Sequence, residues 1–531
     1  MESNKIVNLQ EVSRKERRKI KDRRKGNAKI LDLHELEDKT TELRNQGKKI
    51  VLCHGTFDLL HIGHIRHLQR AREEGDVLLV TVTADSYVNK GPGRPVFNHD
   101  LRMENLAALE CVDFVAVNYE TTSVNVLHQI KPHVYVKGSD YKKAGDDVTG
   151  NITKEREAVE LHGGRIFYTQ EITNSSSHLL NEHFQVFSPE VKAYLEEFKT
   201  RFTFTEINQA LQTLKALNVL VIGDAIIDEY HYTSPLGQIG KGNVLAVKYN
   251  DEEKFAGGSI AVANHVAGFA GNVTLVAGLG MKDSQEDFIG SKLLRNVSPV
   301  FFKNPSARTL TKRRYIGDEM SKLFEVYFYD EDISSEDVNS EVCVWLNSHL
   351  EQFDAVIVPD FGNGFVTNDM VTKLTEKSRF LAVNTQVNSG NRGYHLITRY
   401  PHADFVSLNE PELRMAACDK SADLEVLARK IATQMGVEQL AVTRGKKGVL
   451  MIENSKRTRH DIPALSTSVV DRIGAGDAFL SLTSLCLVAG LGAEMSAFVG
   501  SIAGAMDVQI VCNREPVNPV SLVKYVDTLL K

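Results

Sequence analysis

Residues 76–85 read DVLLVTVTAD, an apolar run without polar alternation at its centre. A strand with one face in water alternates, so this one needs cover on both faces, as in a parallel sheet between two helical layers. The flanking sequence supplies the other parts. KKIVLCHGTFD contains a short strand, Ile50–Cys53, and HIRHLQRAREEG reads as a helix closed by Gly75. LRMENLAALECV and VNVLHQIKP are helical, and DFVAVN, HVYVKGSDY and GRIFYTQEI are strands. This alternation predicts a doubly wound α/β domain over residues 29–180. Residues 181–217, with SPEVKAYLEEF and FTEINQALQTL, read as a helical linker. A second alternation starts at NVLVIGD and runs through NVTLVAGLG, DAVIVPDFG, FLAVN, DFVSLNEPE and QLAVTRGKKGVLMI. It predicts a second doubly wound α/β domain over residues 218–531, and 531 residues are enough for both.

Composition narrows the function classes. A net charge of −6 gives no global attraction to nucleic acid or membrane, and neither is expected as a partner. The basic residues are concentrated in tail 1–28, where Arg14–Lys25 holds nine in twelve. No aromatic residue is interleaved with them, so the tail reads as a solvated segment. The six cysteines are scattered with no CxxC pair, which fits a reducing cytoplasm and argues against a disulfide framework or zinc site. No apolar core follows the first charges, so no secretory signal is read, and a cytoplasmic location is expected. The apolar stretch Phe479–Met506 is broken by Ser, Thr, Gly and Glu494 and reads as a buried helix pair. Homo-oligomerisation stays open.

Two motifs carry chemistry. The first is HGTFDLLHIGH, residues 54–64, at a strand end and a helix start. Ligands of open α/β sheets bind beyond the carboxyl ends of the strands, and a helix N-terminus attracts anions. His61 and His64, three apart, share a helix face, and Gly63 between them lets a base or phosphate approach the backbone. Two imidazoles aimed at one point can stabilise a phosphoryl group in reaction. His54, His67, His99 and His128 read as hydrogen-bonded structural imidazoles.

GTFDLLHIGH resembles the signature of the cytidylyltransferase-like nucleotidyltransferases. The resemblance implies nucleotide or phosphate contacts from Gly55, Thr56, Phe57, Gly63, Arg102, Lys137, Gly138, Asp140, Ser175 and Ser176. It also implies a phosphate-binding Lys90, with Arg94 in the same loop, and gives Asp58 to the sugar or to bracing the loop. Class I aminoacyl-tRNA synthetases share HIGH, and EMSKL (319–323) is similar to their lysine loop. That stretch, however, lies in a domain with kinase marks, and no anticodon-binding region is visible.

The second motif is DRIGAGDAF, residues 471–479, ahead of an apolar helix. Gly474, Ala475 and Gly476 form an anion cradle at a helix start. Asp477 follows in the first turn, where a carboxylate can take the proton of a sugar hydroxyl. GAGDAF resembles the anion hole and catalytic aspartate of the ribokinase (PfkB) family. The resemblance extends to Asp228, Gly257, Gly258 and Asn264 as sugar-binding residues. It implies Asn409 and Glu412 of NEPE as a magnesium-linked pair, and Thr443, Gly445 and Gly448 as the nucleotide-phosphate loop. Two departures stand near the ligand positions: Asp471-Arg472-Ile473 before the glycines, and NTQVNSGNRGY at 384–394.

Together the halves resemble bifunctional ADP-heptose synthases, with the transferase placed first. The resemblance implies ATP-dependent phosphorylation of a sugar or sugar phosphate, and nucleotidyl transfer from a nucleoside triphosphate to a sugar 1-phosphate, with Mg2+. A CDP-polyol or another nucleotide sugar is the alternative product. A non-catalytic scaffold that binds sugar nucleotides is the non-enzyme alternative, disfavoured by the intact HxGH and GAGD.

Overall fold

The computed structural model describes residues 28–88, 93–138, 151–169, 187–240, 242–330, 333–388, 390–466 and 468–531. Two compact units divide the chain, Met1–Val186 and Phe187–Leu530.

In the first unit, strands β1 (Ile50–Gly55), β2 (Val77–Thr83), β3 (Phe114–Asn118), β4 (Val134–Gly138) and β5 (Arg165–Thr169) form one sheet in the order β3-β2-β1-β4-β5. Every pairing is parallel. Helices α1 (Leu33–Asn45), α2 (Ile62–Arg72), α3 (His99–Ala107), α4 (Val124–Ile130) and α5 (Asn151–Glu160) accompany it. The unbroken apolar runs now have a cause. Val51 and Cys53 of β1 pack with Leu68, Met103 and Leu106 in one core, while Ile50 and Leu52 pack with Leu36, Leu127 and Ile130 in another. Successive residues of one strand feed opposite layers, and all seven residues of β2 are buried.

The second unit begins with α6 (Pro189–Arg201) and α7 (Phe204–Thr213), within the segment read from sequence as a linker. These helices are tied into the unit. Phe198 is fully buried and stacks on Phe498 at 4.2 Å, and Arg201 donates to Glu494 at 2.8 Å.

Two sheets follow. The larger joins β6 (Asn218–Ile222), β9 (Asn272–Gly280), β10 (Val297–Asn304), β13 (Ala355–Asp360), β14 (Leu381–Thr385), β15 (Phe405–Asn409), β16 (Gln439–Thr443), β17 (Val449–Glu453) and β18 (Thr458–Ile462). Its order is β10-β9-β6-β13-β14-β15-β16-β17-β18, parallel from β10 to β16. The smaller has the order β12-β11-β7-β8 and is formed by β7 (Ala225–Gln238), β8 (Leu245–Gly258), β11 (Thr311–Ile316) and β12 (Lys322–Phe328). Helices α8 (Ser259–Ala267), α9 (Glu286–Lys292), α10 (Glu336–His349), α11 (Asn368–Lys377), α12 (Glu410–Ala417), α13 (Leu424–Met435), α14 (Ala475–Val488), α15 (Ala493–Asp507) and α16 (Pro519–Leu530) complete the unit. Residues Ala478–Leu487 of α14 are all buried, so the apolar stretch near the C-terminus is a pair of core helices. Among the described residues no helix is long and apolar enough to cross a membrane.

Replacing Phe198 by Ala should cost the second unit about 3–5 kcal/mol, because a stacked aromatic in a closed core leaves a cavity. Denaturant unfolding of the intact chain reads this directly. An unchanged midpoint would show that α6 is a detachable linker.

Candidate active sites

In the first unit, strand order reverses between β1 and β4, whose carboxyl ends are Gly55 and Gly138. A Cβ added at Gly138 would meet nothing within 4 Å, so this end of the crevice is open. The turn after β1 bends sharply at Phe57, whose φ is 48°. It delivers His61 as the N-cap of α2, where Nδ1 accepts the Gly63 N–H at 3.1 Å. With Nδ1 accepting, the network assigns the proton of the neutral ring to Nε2. That Nε2 is buried and has no hydrogen-bond partner among the described residues. Burial lowers the His61 pKa, so the imidazole is neutral at physiological pH and keeps one N–H to offer. The His64 ring lies 4.1 Å away, tilted by 31°, with Phe57 edge-on at 5.4 Å. The structure thus brings His61, His64 and Phe57 together at a helix start.

Three other expected ligands are spent on architecture. Asp58 is buried and accepts the N–H groups of Val96 and Phe97 at 2.9 and 3.0 Å. Of its two expected roles it takes the brace. Arg102 has no exposed surface and does not face the crevice. Its guanidinium donates to the carbonyls of Phe97, Thr56 and Thr83 at 2.9, 2.6 and 2.7 Å, and to the Asp85 carboxylate at 2.5 Å. The expected triphosphate contact is therefore corrected: Arg102 staples the motif loop to β2 and to the turn before α3. Lys137 is buried against Glu155 at 2.8 Å, and Glu155 also receives Ser123 at 2.6 Å, so its ammonium is already neutralised. Lys90, Asp140, Ser175 and Ser176 lie outside the described residues. His54, His67, His99 and His128 each hydrogen-bond a neighbour, Thr81, Thr169, Asp85 and His162 respectively. Burial, aided by the Lys137 charge, pushes His67 down to about 4.

In the second unit the sheet reverses between β6 and β13, and the motifs fall at the carboxyl ends of the parallel strands. Gly474 caps α14 with φ 100°. A side chain there would run into Asn513 Oδ1 at 2.4 Å and Asp507 Oδ2 at 2.6 Å, so only glycine lets the loop turn. Asp471 fixes the approach to it. Its carboxylate accepts Tyr230 Oη at 2.6 Å, Lys322 Nζ at 3.0 Å and the Cys512 N–H at 3.2 Å. Ala475 and Gly476 open α14, and Gly476 is exposed with free space around it.

Asp477 sits one residue further, in the first turn. Burial and the nearby Asp228 charge raise its pKa to about 7, against the pull of Lys312. A carboxylate in this state takes a proton at neutral pH more readily than an ordinary one. Asp228 is buried on β7 and paired with Arg314 of β11. The glycine pair is shaped by it, since a Cβ on Gly257 would lie 2.0 Å from Asp228 Oδ2. Gly258 has φ 59°, and a Cβ there would lie 2.5 Å from the Asp224 carbonyl. Thr443 ends β16, and Gly445 and Gly448, with φ 56° and 78°, form the turn to β17.

Three other expected residues have backbone partners in this structure. The Asn264 side chain accepts the Leu294 N–H at 3.0 Å and donates to the Lys292 carbonyl at 3.0 Å. It braces the 292–294 turn. Asn409 and Glu412 form a reciprocal capping box on α12, at 2.8 and 2.9 Å, and Glu412 also accepts the Val387 N–H at 3.3 Å. Glu412 is pushed up to about 7 by burial. This is a helix cap bonded to backbone, and no group of three or more potential metal ligands occurs among the described residues.

Sequence reasoning missed the charged floor of the site. Asp360 on β13 holds Tyr400 Oη at 2.8 Å, Arg399 at 2.9 Å and His395 at 3.0 Å. Asn388 and Asn391 of the departing loop both donate to the Phe361 carbonyl at 3.2 Å. Lys312 and Arg314, two apart on β11, share the face of Asp228. That alternation in TKRRY was the signal available.

A glycine-capped helix start at the carboxyl edge of a parallel sheet, with an acid in its first turn, is an arrangement suited to phosphoryl transfer. The family described as pfkB family carbohydrate kinase matches residues 216–516, more than half of the chain, and the chain belongs to that family. Ahead of it, residues 52–182 match the cytidylyltransferase-like family. Similar curated proteins include the bifunctional protein HldE of Aliarcobacter butzleri, 44% identical over 143 residues, covering 26% of this chain and 30% of that protein. HldE of Geobacter sulfurreducens is 41% identical over 143 residues, covering 27% and 28%. HldE of Azotobacter vinelandii is 40% identical over 169 residues, covering 31% and 34%. The matched region thus spans about a third or less of these relatives. Among solved structures, Arabidopsis thaliana ribokinase complexed with ribose and ATP superposes with a TM-score of 0.45 at 19% identity, covering 60% of this chain and 99% of that one. Escherichia coli phosphofructokinase-2 gives 0.47 at 15%, covering 59% and 99%.

Replacing Arg102 by Met would leave buried carbonyls unpaired and Asp85 uncompensated. The first unit should lose about 3–5 kcal/mol of stability in denaturant unfolding. A variant of full stability with weakened nucleotide binding would restore the phosphate-binding assignment.

Proposed function

We propose that the chain is a bifunctional enzyme of nucleotide-sugar synthesis, with a sugar kinase in the second unit and a nucleotidyltransferase in the first. The observation that carries this is the contrast between the two helix N-termini. At α14 a carboxylate with near-neutral proton affinity stands beside the anion cradle. At α2 the adjoining carboxylate, Asp58, is committed to backbone N–H groups, and a pair of imidazoles stands in its place, with His61 kept neutral by burial.

In the kinase half a sugar hydroxyl attacks the γ-phosphorus of ATP. Its proton passes to Asp477, the electron pair of the broken P–O bond leaves with ADP, and the N–H groups of the cradle hold the phosphate charge. In the transferase half the acceptor is a sugar 1-phosphate, already ionised because its second pKa is about 6. It attacks the α-phosphorus and releases pyrophosphate, so alignment and charge neutralisation by His61 and His64 suffice, with no base. Magnesium is taken as part of the nucleotide substrate. The similarity to HldE proteins favours an ADP-heptose-type product over a CDP-polyol.

The test is incubation with each nucleoside triphosphate and a panel of sugar phosphates, following pyrophosphate and nucleoside diphosphate separately. His64→Ala should lower pyrophosphate release at least about 100-fold and leave ADP release intact; Asp477→Ala should do the reverse. Because Asp477 must be ionised to act, kinase kcat/KM should fall about tenfold per pH unit below about 7. Unchanged turnover in both variants would refute the assignments.

A further inference from the structure

Lys312 is 4% exposed, on the inward face of the smaller sheet. Its register neighbours are Asp228 on β7 and Tyr327 on β12. The ammonium rests over the rings of Tyr327 at 5.3 Å and Phe361 at 6.0 Å. Unlike Arg314 beside it, which is paired to Asp228 and to Glu325, Lys312 makes no ion pair or hydrogen bond through its side chain among the described residues. Asp224, Asp228 and Asp477 lie within its electrostatic reach. Burial nonetheless dominates and lowers its pKa, so the empty site gives this cation less than water would.

A buried, unpaired cation costs stability unless a ligand uses it. Its position says which ligand. Lys312 shares a sheet face with Asp228, on the sugar side, and its charge is felt by Asp477, which takes the hydroxyl proton. The group that passes this point carrying negative charge is the phosphoryl group.

Resting on the kinase reading above, we propose that Lys312 is a catalytic residue whose ammonium receives the phosphoryl group in transfer. The bond to ADP breaks and the bond to the sugar oxygen forms as described. Lys312 keeps its own proton throughout and donates hydrogen bonds to the non-bridging oxygens. The cradle at Gly474–Gly476 and Lys312 would then share that charge.

The experiment compares the full-length chain with Lys312→Met, of similar length without charge, and Lys312→Arg. In Lys312→Met, kcat for sugar phosphorylation should fall about 100-fold or more with KM for ATP changed less than about threefold, the pattern of an interaction made in the transition state. Lys312→Arg should recover part of that loss. The ligand-free melting temperature of Lys312→Met should stay level or rise, which a structural lysine would not give. A kcat within about threefold of wild type, a loss confined to KM, or a melting temperature several degrees lower would each overturn the proposal. If wild type phosphorylates no sugar tested, the kinase reading fails by itself, and the imido analogue of ATP decides the fate of Lys312. Wild type should then be stabilised more by this analogue than by ADP, and Lys312→Met should lose the difference. Equal differences in the two proteins would overturn it.

Discussion

The second unit is organised around the raised proton affinity of one half-buried carboxylate. Asp477 stands at the first turn of a helix, where the N–H groups favour negative charge, yet it is half-buried and feels the Asp228 charge. These opposing effects leave it near neutrality in proton affinity. Much of the surrounding structure serves that balance. The glycine pair lets the Asp228 carboxylate approach, Gly474 lets the loop turn under Asp507 and Asn513, and Asp471 ties the loop to β7 and β12. The paired Arg314 and the unpaired Lys312 set the positive side of the same account.

The first unit uses a similar backbone device for a different problem. Its helix start is also at the carboxyl edge of a parallel sheet, but the side chains brought there are two imidazoles in contact, one of them held neutral by burial. A neutral His61 can donate to a polyphosphate without the repulsion that two imidazolium rings at this distance would suffer. The loop is kept in shape from beneath by Arg102 and Asp58, whose hydrogen-bonding capacity goes to backbone atoms. One backbone architecture thus presents two different sets of titratable groups at a helix start.

The sequence made both folds legible because strand residues buried on two faces cannot alternate, and Val51 and Leu52 show why. The positions of the motif glycines and of His61, His64 and Asp477 were legible for a related reason: each lies at a strand end or helix start that its own neighbours announce. Arg102, Asn264, Asn409 and Glu412 have protein partners that the sequence did not announce. Their types suit ligands, but whether a polar group faces a site or a backbone depends on partners such as Thr83 or Leu294 that local sequence does not identify. Lys312 and the Asp360 cluster escaped notice because their meaning comes from strand pairing across the sheet and from long-range contacts. The boundary near Asn218 followed polarity, whereas α6 is fastened by the single apolar face that carries Phe198.

The most direct measurement is the titration of Asp477 itself. Aspartate labelled with carbon-13 at the side-chain carboxyl, with the resonance assigned by its loss in Asp477→Asn, reports ionisation in the ligand-free protein. A midpoint near 7 is expected. A midpoint near 4, the value of an aspartate in water, would contradict the account.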